Sequence, residues 1–291
     1  MSETVEPAIV TGPATSGPRI AVSARDLSIR YPSRHPETSV LPVNGIDFTL
    51  NENEILAVVG ETGSGKSTLA ATVAGSVGNG EPGMPIIHGG SLRVLGKEMR
   101  RISPRTLDRV RFRIGYLPQD AGSLLSARLT VGENVAMPIF ERDSRFNQVD
   151  AGKAVATLID SVRLPMGMMN KYPHELSRGQ RQRVAIAKAL VLEPTVFVAD
   201  DPTSGIDVMV RDAILETIRE LQTAHSFSAL VITPDLREVR FLSKRVLVMH
   251  RSVVVGHGLI DDVLDHPIHP YVEGLAQAWN NESSRVWADV R

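Results

Sequence analysis

Nothing in this chain restricts its fold more than the run Gly60-Glu61-Thr62-Gly63-Ser64-Gly65-Lys66-Ser67-Thr68 and its two flanks. Before it stands Glu54-Ile55-Leu56-Ala57-Val58-Val59, which is short, apolar and β-branched toward its end, the pattern of a buried parallel strand. After it, Ser67 to Ala74 reads as a helix. Strand, glycine-rich turn and helix in that order call for a parallel α/β sheet. The glycines let the backbone curl so that successive N–H groups point inward, and the helix N-terminus adds partial positive charge. Such a cradle suits the phosphates of a nucleoside triphosphate, with Lys66 reaching the β- and γ-phosphates and the Ser67 hydroxyl facing Mg2+.

The rest of the chain repeats the alternation. Ile20 to Tyr31 and Val43 to Leu50 read as strands, with a tight turn at 51–53. Residues 78–90, with several glycines and prolines, read as a loop. Ser91 to Leu95 and Arg113 to Leu117 read as strands around a basic helix at Pro104 to Phe112. Residues 121–175 are mainly helical, with Val149 to Val162 the clearest amphipathic stretch, and Ser177 to Leu192 is a long helix. Thr195 to Ala199 is a second buried strand, ending in Asp200. Arg211 to His225 is a helix, Ser228 to Thr233 a strand, and Arg245 to His250 with Val253 to Val255 a closing hairpin. A helical block at 121–180 inserted into a parallel α/β core follows, with a tail at 1–18, one domain over 19–280 and a second tail at 281–291.

Composition narrows the function classes. The formal net charge is −1, so no global basic field points to nucleic acid, and the Arg-rich stretches 100–113 and 178–183 read as solvated faces or inter-domain contacts. With no cysteine, disulfides, cysteine metal sites and cysteine-held iron–sulfur clusters are excluded. The most apolar stretch, Val184 to Ala199, is broken by Lys188, Glu193 and Pro194 and falls short of the ~18 residues of a membrane span. The N-terminal residues lack the character of a secretion signal.

An acid at the end of a hydrophobic strand is what a phosphate-loop site needs for its cation, which assigns Asp200 to Mg2+. Four further segments stand in order around these two. They are Tyr116-Leu117-Pro118-Gln119-Asp120, Leu176-Ser177-Arg178-Gly179-Gln180-Arg181-Gln182-Arg183, Asp200-Asp201-Pro202-Thr203-Ser204-Gly205-Ile206-Asp207, and an aromatic, Tyr31, ahead of the loop. The ordered set resembles the ATPase subunits of ABC transporters over roughly residues 20–275. His266-Pro267-Ile268-His269-Pro270-Tyr271 resembles a segment of their peptide/nickel/opine-type importer class, although the cysteine-bound cluster that often follows it there is absent.

The resemblance implies a phosphate-loop (RecA-like) parallel-sheet core with an antiparallel β subdomain and a helical subdomain. It implies ATP and Mg2+ as cofactors, with Tyr31 stacking on adenine, Gly60, Gly63, Gly65, Lys66, Ser67 and Thr68 holding phosphates, and Ser67, Gln119 and Asp200 around the cation. Two subunits would pack head to tail, so that Ser177, Gly179, Gln180 and Asp207 serve the nucleotide of a second ABC ATPase subunit. Integral-membrane permease subunits would dock on the helical subdomain, with Gln119 relaying nucleotide state. A substrate-binding protein would act indirectly, and the chain would sit peripherally on the cytoplasmic face of the membrane.

Two departures bear on catalysis. Asp201 stands where the family has glutamate, so the carboxyl that orients the attacking water is one methylene, about 1.5 Å, short; a ~1 Å misplacement costs on the order of 100-fold. Pro234 stands where the family has a histidine, and supplies neither a side-chain donor nor an N–H. Arg178 replaces a glycine, and Gly205-Ile206 replaces alanine-leucine. The expectation is a heteromeric peptide importer whose complete partner does the hydrolysis. Its alternatives are a self-sufficient homodimer and a non-transport ATP-binding module.

Overall fold

The computed structural model describes residues 19–32, 41–78 and 83–288. The expected tail at 1–18 lies outside the described residues. The strands are β1 (Ile20–Arg30), β2 (Val43–Asn51), β3 (Ile55–Gly60), β4 (Ile86–Val94), β5 (Lys97–Glu98), β6 (Ile114–Leu117), β7 (Val196–Asp200), β8 (Ser228–Ile232), β9 (Arg245–His250) and β10 (Val253–Leu259). The helices are α1 (Lys66–Val73), α2 (Pro104–Arg111), α3 (Val131–Arg142), α4 (Gln148–Ser161), α5 (Arg178–Leu190), α6 (Val208–His225), α7 (Leu236–Leu242), α8 (Ile260–Asp265) and α9 (Pro270–Ala288).

These strands form two sheets. A four-stranded antiparallel sheet runs β2-β1-β4-β5, and a six-stranded sheet runs β10-β9-β3-β8-β7-β6, parallel except where β10 joins its edge. β3, β7 and β8 are almost wholly buried, which is why they read as continuous apolar runs rather than alternating ones. One core packs the antiparallel sheet and α1 against one face of the parallel sheet, from Val22 and Leu50 to Val58, Leu69 and Val198. A second joins the other face, through Phe197, Ala229 and Val231, to α3, α4, α5 and α6. A third seats α8 and α9 against β9 through Val246, Val248, Ile260 and Val272.

Short caps fix the helical block. Thr130 and Glu133 form a reciprocal capping box at α3, and Asn147 accepts from the Val149 and Asp150 N–H groups at α4. Buried Asn134 donates to the carbonyls of Ser126, Leu129 and Thr130, and so closes the turn ahead of its own helix. None of the described helices is long and apolar enough to cross a membrane.

Three local expectations are corrected, and two helices are added. Residues 86–90 are strand, not loop, because Gly89 and Gly90 pass beside β1 where side chains would collide: a Cβ at Gly90 would lie 2.1 Å from the Asp26 carbonyl oxygen. The helix expected from Arg211 starts at Val208, directly after Asp207. α7 and α8 were not anticipated. The tail expected from residue 281 is helical to Ala288, as α9 runs on.

Candidate functional site

β6, β7, β8 and β3 are neighbours and parallel, so their carboxyl ends open on one side of the sheet. That is where α/β sheets bind ligands. Gln119 follows β6, Asp200 ends β7, Thr233 and Pro234 follow β8, and the phosphate loop follows β3. All of these but the buried Thr233 line a cleft of about 270 Å³. Gly60, Gly63, Gly65, Lys66, Ser67 and Thr68 form one wall. Gln119, Asp200, Asp201 and Pro234 form the other. The Tyr31 hydroxyl lies 3.4 Å from Thr68 Oγ1, at the rim. The loop shape depends on Gly65, whose φ is 101° and where a Cβ would meet the Pro42 carbonyl oxygen at 1.7 Å.

Lys66 Nζ donates to the carbonyls of Gly60 (2.8 Å) and Glu61 (2.7 Å). Burial lowers its pKa, while the charges of Asp200, Asp201 and Glu61 oppose that shift. Burial raises the Asp200 carboxyl, opposed by a hydrogen bond from Ser67 and by the Lys66 charge. A serine hydroxyl bonded to one carboxyl, with the Gln119 amide in the same cleft, is an all-oxygen donor set suited to Mg2+. That ion uses one or two carboxylates together with substrate phosphates. Among the described residues no cluster of three or more His, Cys, Asp or Glu competes for a different metal.

Asp201 has φ 51°, in the left-handed region, and its N–H donates to the Ile232 carbonyl at 3.0 Å. Its pKa is pushed up to about 6, first by burial and then by the charges of Glu238 and Asp200, with Ser204 and Arg211 pulling the other way. Glu238 was not foreseen. It sits on α7, 5 % exposed, and accepts from Thr203 Oγ1 at 2.7 Å and from Thr233 Oγ1. It thereby ties the segment after Asp201 to the end of β8 beside Pro234. An acid within Leu236-Arg237-Glu238-Val239-Arg240 reads as part of a charged surface, and its one sequence signal is its place next to buried Val239. Tyr116 is also near the cleft. Burial, then the charges of Asp200 and Tyr31, push its hydroxyl up to about 12.

The remaining expected residues lie elsewhere. Ser177, Gly179, Gln180 and Asp207 line a separate cleft of about 450 Å³ that shares no residue with the first. Ser177 caps α5: its Oγ accepts from the Gln180 N–H, and Gln180 Oε1 accepts from the Ser177 N–H. The Ser177 hydroxyl keeps its proton free to donate outward. Arg178 pairs with Asp120 at 2.8 Å and lies over Gly205. One turn along, buried Gln182 accepts from the Gly122 N–H (3.1 Å) and donates to the Pro202 carbonyl (2.8 Å). Two side chains of α5 thus hold the segment after Gln119 and the segment after Asp201.

With this geometry in place, comparisons with known proteins agree on its kind. A family model described as ABC transporter matches residues 43–204. The oligopeptide transport ATP-binding protein OppF of Escherichia coli is 33% identical over 271 residues, which is 91% of this chain and 79% of that protein. OppD of Bacillus subtilis is 34% identical over 257 residues, 87% of this chain and 70% of that protein. Among solved structures, a dimeric ATP-binding cassette bound to ADP and Pi superposes with a TM-score of 0.72 at 24% identity, covering 82% of this chain and 98% of that one. A cassette of the cbiONQ complex from Clostridium perfringens gives the same score and identity over 85% and 92%. These two establish likeness of fold.

Proposed function

The chain belongs to the ABC transporter family, as an ATP-binding subunit of the peptide-importer class, and on that premise we propose that it works beside a second, catalytically complete ATPase subunit. It binds ATP in the phosphate cleft and lends Ser177, Gly179 and Gln180 to the nucleotide held by that partner. The observation that supports this is that the signature residues line a cleft sharing no residue with the phosphate cleft, which suits them to a nucleotide held by a second chain. Asp201 and Pro234 then leave this chain's own nucleotide with a short water-orienting carboxyl and no imidazole.

When bound, Mg2+ would neutralise charge on the transferring phosphoryl group, held by Ser67, Asp200 and Gln119. Lys66 would move from its two backbone carbonyls to the β- and γ-phosphates, and Tyr31 would stack on the adenine. Beside Gln119, a half-open groove of about 390 Å³ runs between Leu117, Leu125, Pro138 and Lys188. It is suited to a short amphipathic helix of a permease, which would hold the chain at the cytoplasmic face of the membrane. By analogy with the oligopeptide relatives, the cargo is an oligopeptide or dipeptide, delivered by a substrate-binding protein.

A second reading has one observation in its favour. The Asp201 carboxyl, raised to about 6, is close to the ideal for a general base at neutral pH, which fits a self-sufficient homodimer. The test compares the purified chain, alone and with its permease and neighbouring ATPase, as wild type and as Asp201→Glu with Pro234→His. ATP binding without turnover alone, but turnover in the complex, supports the division of labour. Full turnover by the isolated wild type, unchanged by the double substitution, sinks it.

A further inference from the structure

The segment ending His269-Pro270-Tyr271 has so far had no part in the chemistry, yet it meets the phosphate loop. The strand register brings this about. β3 and β9 run parallel with Gly60 opposite Met249, so the next residues, Glu61 just past β3 and His250 at the end of β9, come side by side. Glu61 Oε1 lies 3.0 Å from His250 Nδ1, out of line for a hydrogen bond, and that nitrogen is buried without another partner. The Tyr271 ring stacks on the His250 imidazole with centroids 4.4 Å apart and planes 21° apart. The His269 ring packs on the same imidazole at 5.5 Å, and its Nδ1 accepts the Tyr271 N–H at 3.1 Å, which fixes the first turn of α9 in place. Burial and then the Glu61 charge push the Tyr271 hydroxyl up, while the Glu61 backbone N–H draws it down, so Tyr271 is in electrostatic contact with that one loop residue.

On its inner side the same residue serves the nucleotide site. The Glu61 carbonyl accepts from Lys66 Nζ at 2.7 Å. Glu61 is therefore gripped from outside by the C-terminal segment and from inside by the lysine that phosphate must recruit. His250 and Tyr271 both lie beyond residues 43–204, the part matched by the family model.

We propose that His250, His269 and Tyr271 form a brace that fixes the phosphate loop at Glu61, so that the C-terminal helix sets the nucleotide affinity of the core. A loop held in its cradle shape loses less freedom when phosphate arrives, so the brace strengthens binding by pre-organisation. That consequence rests on the ATP-binding reading given above; the brace itself does not.

The experiment uses the full chain as Tyr271→Ala, Tyr271→Phe and His250→Gln. Backbone hydrogen exchange without nucleotide reads the brace directly. Tyr271→Ala speeds exchange at residues 60–68 by about 3- to 10-fold and leaves α5 unchanged, with His250→Gln and Tyr271→Phe intermediate, since the phenylalanine ring keeps the stack on His250 but loses the hydroxyl that faces the Glu61 N–H. Titration with MgATP then shows the Kd raised by about 3- to 10-fold in Tyr271→Ala and by a smaller factor in Tyr271→Phe. Wild-type exchange at 60–68 in both Tyr271→Ala and His250→Gln overturns the proposal. Acceleration spread equally over α5 also overturns it, since a general loosening is not a brace. If loop exchange rises as expected but the wild-type chain does not bind MgATP, the brace stands and the nucleotide reading falls.

Discussion

A methyl group at position 205 would sit 2.1 Å from the guanidinium carbon of Arg178. The two expected departures, Arg178 and Gly205, are therefore one steric arrangement: the arginine occupies the space that a side chain at 205 would take. Gly205→Ala alone should lower stability by about 1–2 kcal/mol through the left-handed φ of 61°, plus a smaller cost for displacing the half-exposed Arg178 guanidinium from Asp120. Adding Arg178→Gly should recover the steric part and leave about 1–2 kcal/mol, a coupling that a thermal-unfolding double-mutant cycle measures directly. Glu238 invites a second test. Glu238→Ala leaves the Thr203 and Thr233 hydroxyls buried without their acceptor and should cost about 3 kcal/mol. Asp201 gives a pH signature in cation-free buffer. Its folded pKa of about 6 lies above the ordinary 3.8, so the folded chain holds the extra proton, and this group's contribution to stability falls as pH rises between those values. Asp201→Asn should remove that slope from a series of unfolding curves.

Among the elements, α5 bears the most on the site, because Gln182 satisfies the Gly122 N–H and the Pro202 carbonyl with a single amide. Gln182→Leu should cost about 2–3 kcal/mol, read by denaturant unfolding, since both backbone groups lose their partner. The strand, loop and helix around Lys66 were legible in the sequence because every signal there is local: an apolar run, three glycines and a cap position. The order β9-β3-β8-β7-β6 was not, because it depends on pairing between residues far apart in the chain, such as Ile55 with Ala229 and Leu56 with Arg245. Hence the residues of the phosphate loop were readable one by one, while the contact of Glu61 with His250 was not. β4 was partly concealed by Gly89 and Gly90, which weaken a strand signal in order to let β1 pass. α7 was concealed by its seven-residue length and its charges, although the Asp235 carboxyl caps it by accepting from the Arg237 N–H.

For the whole molecule, the proposed function turns two separate clefts on one chain into a prediction that turnover is a property of pairs. Any hydrolysis by the purified chain should therefore rise in specific activity with protein concentration, as dimers form, and should be rescued at low concentration by adding the neighbouring ATPase subunit. A steady-state assay across a dilution series distinguishes this from a monomeric enzyme, whose specific activity is flat. The link that α5 makes through Arg178 and Gln182 has a mechanical consequence. One rigid rod grips the segment behind Gln119 at one side and the segment behind Asp201 at the other. A permease pressing on the groove beside Gln119 would turn that rod like a crank, and the other end has little choice but to follow. Packed cores click between arrangements rather than bend smoothly, so such a crank transmits steps, not gradations. Transport driven through it would advance in discrete strokes.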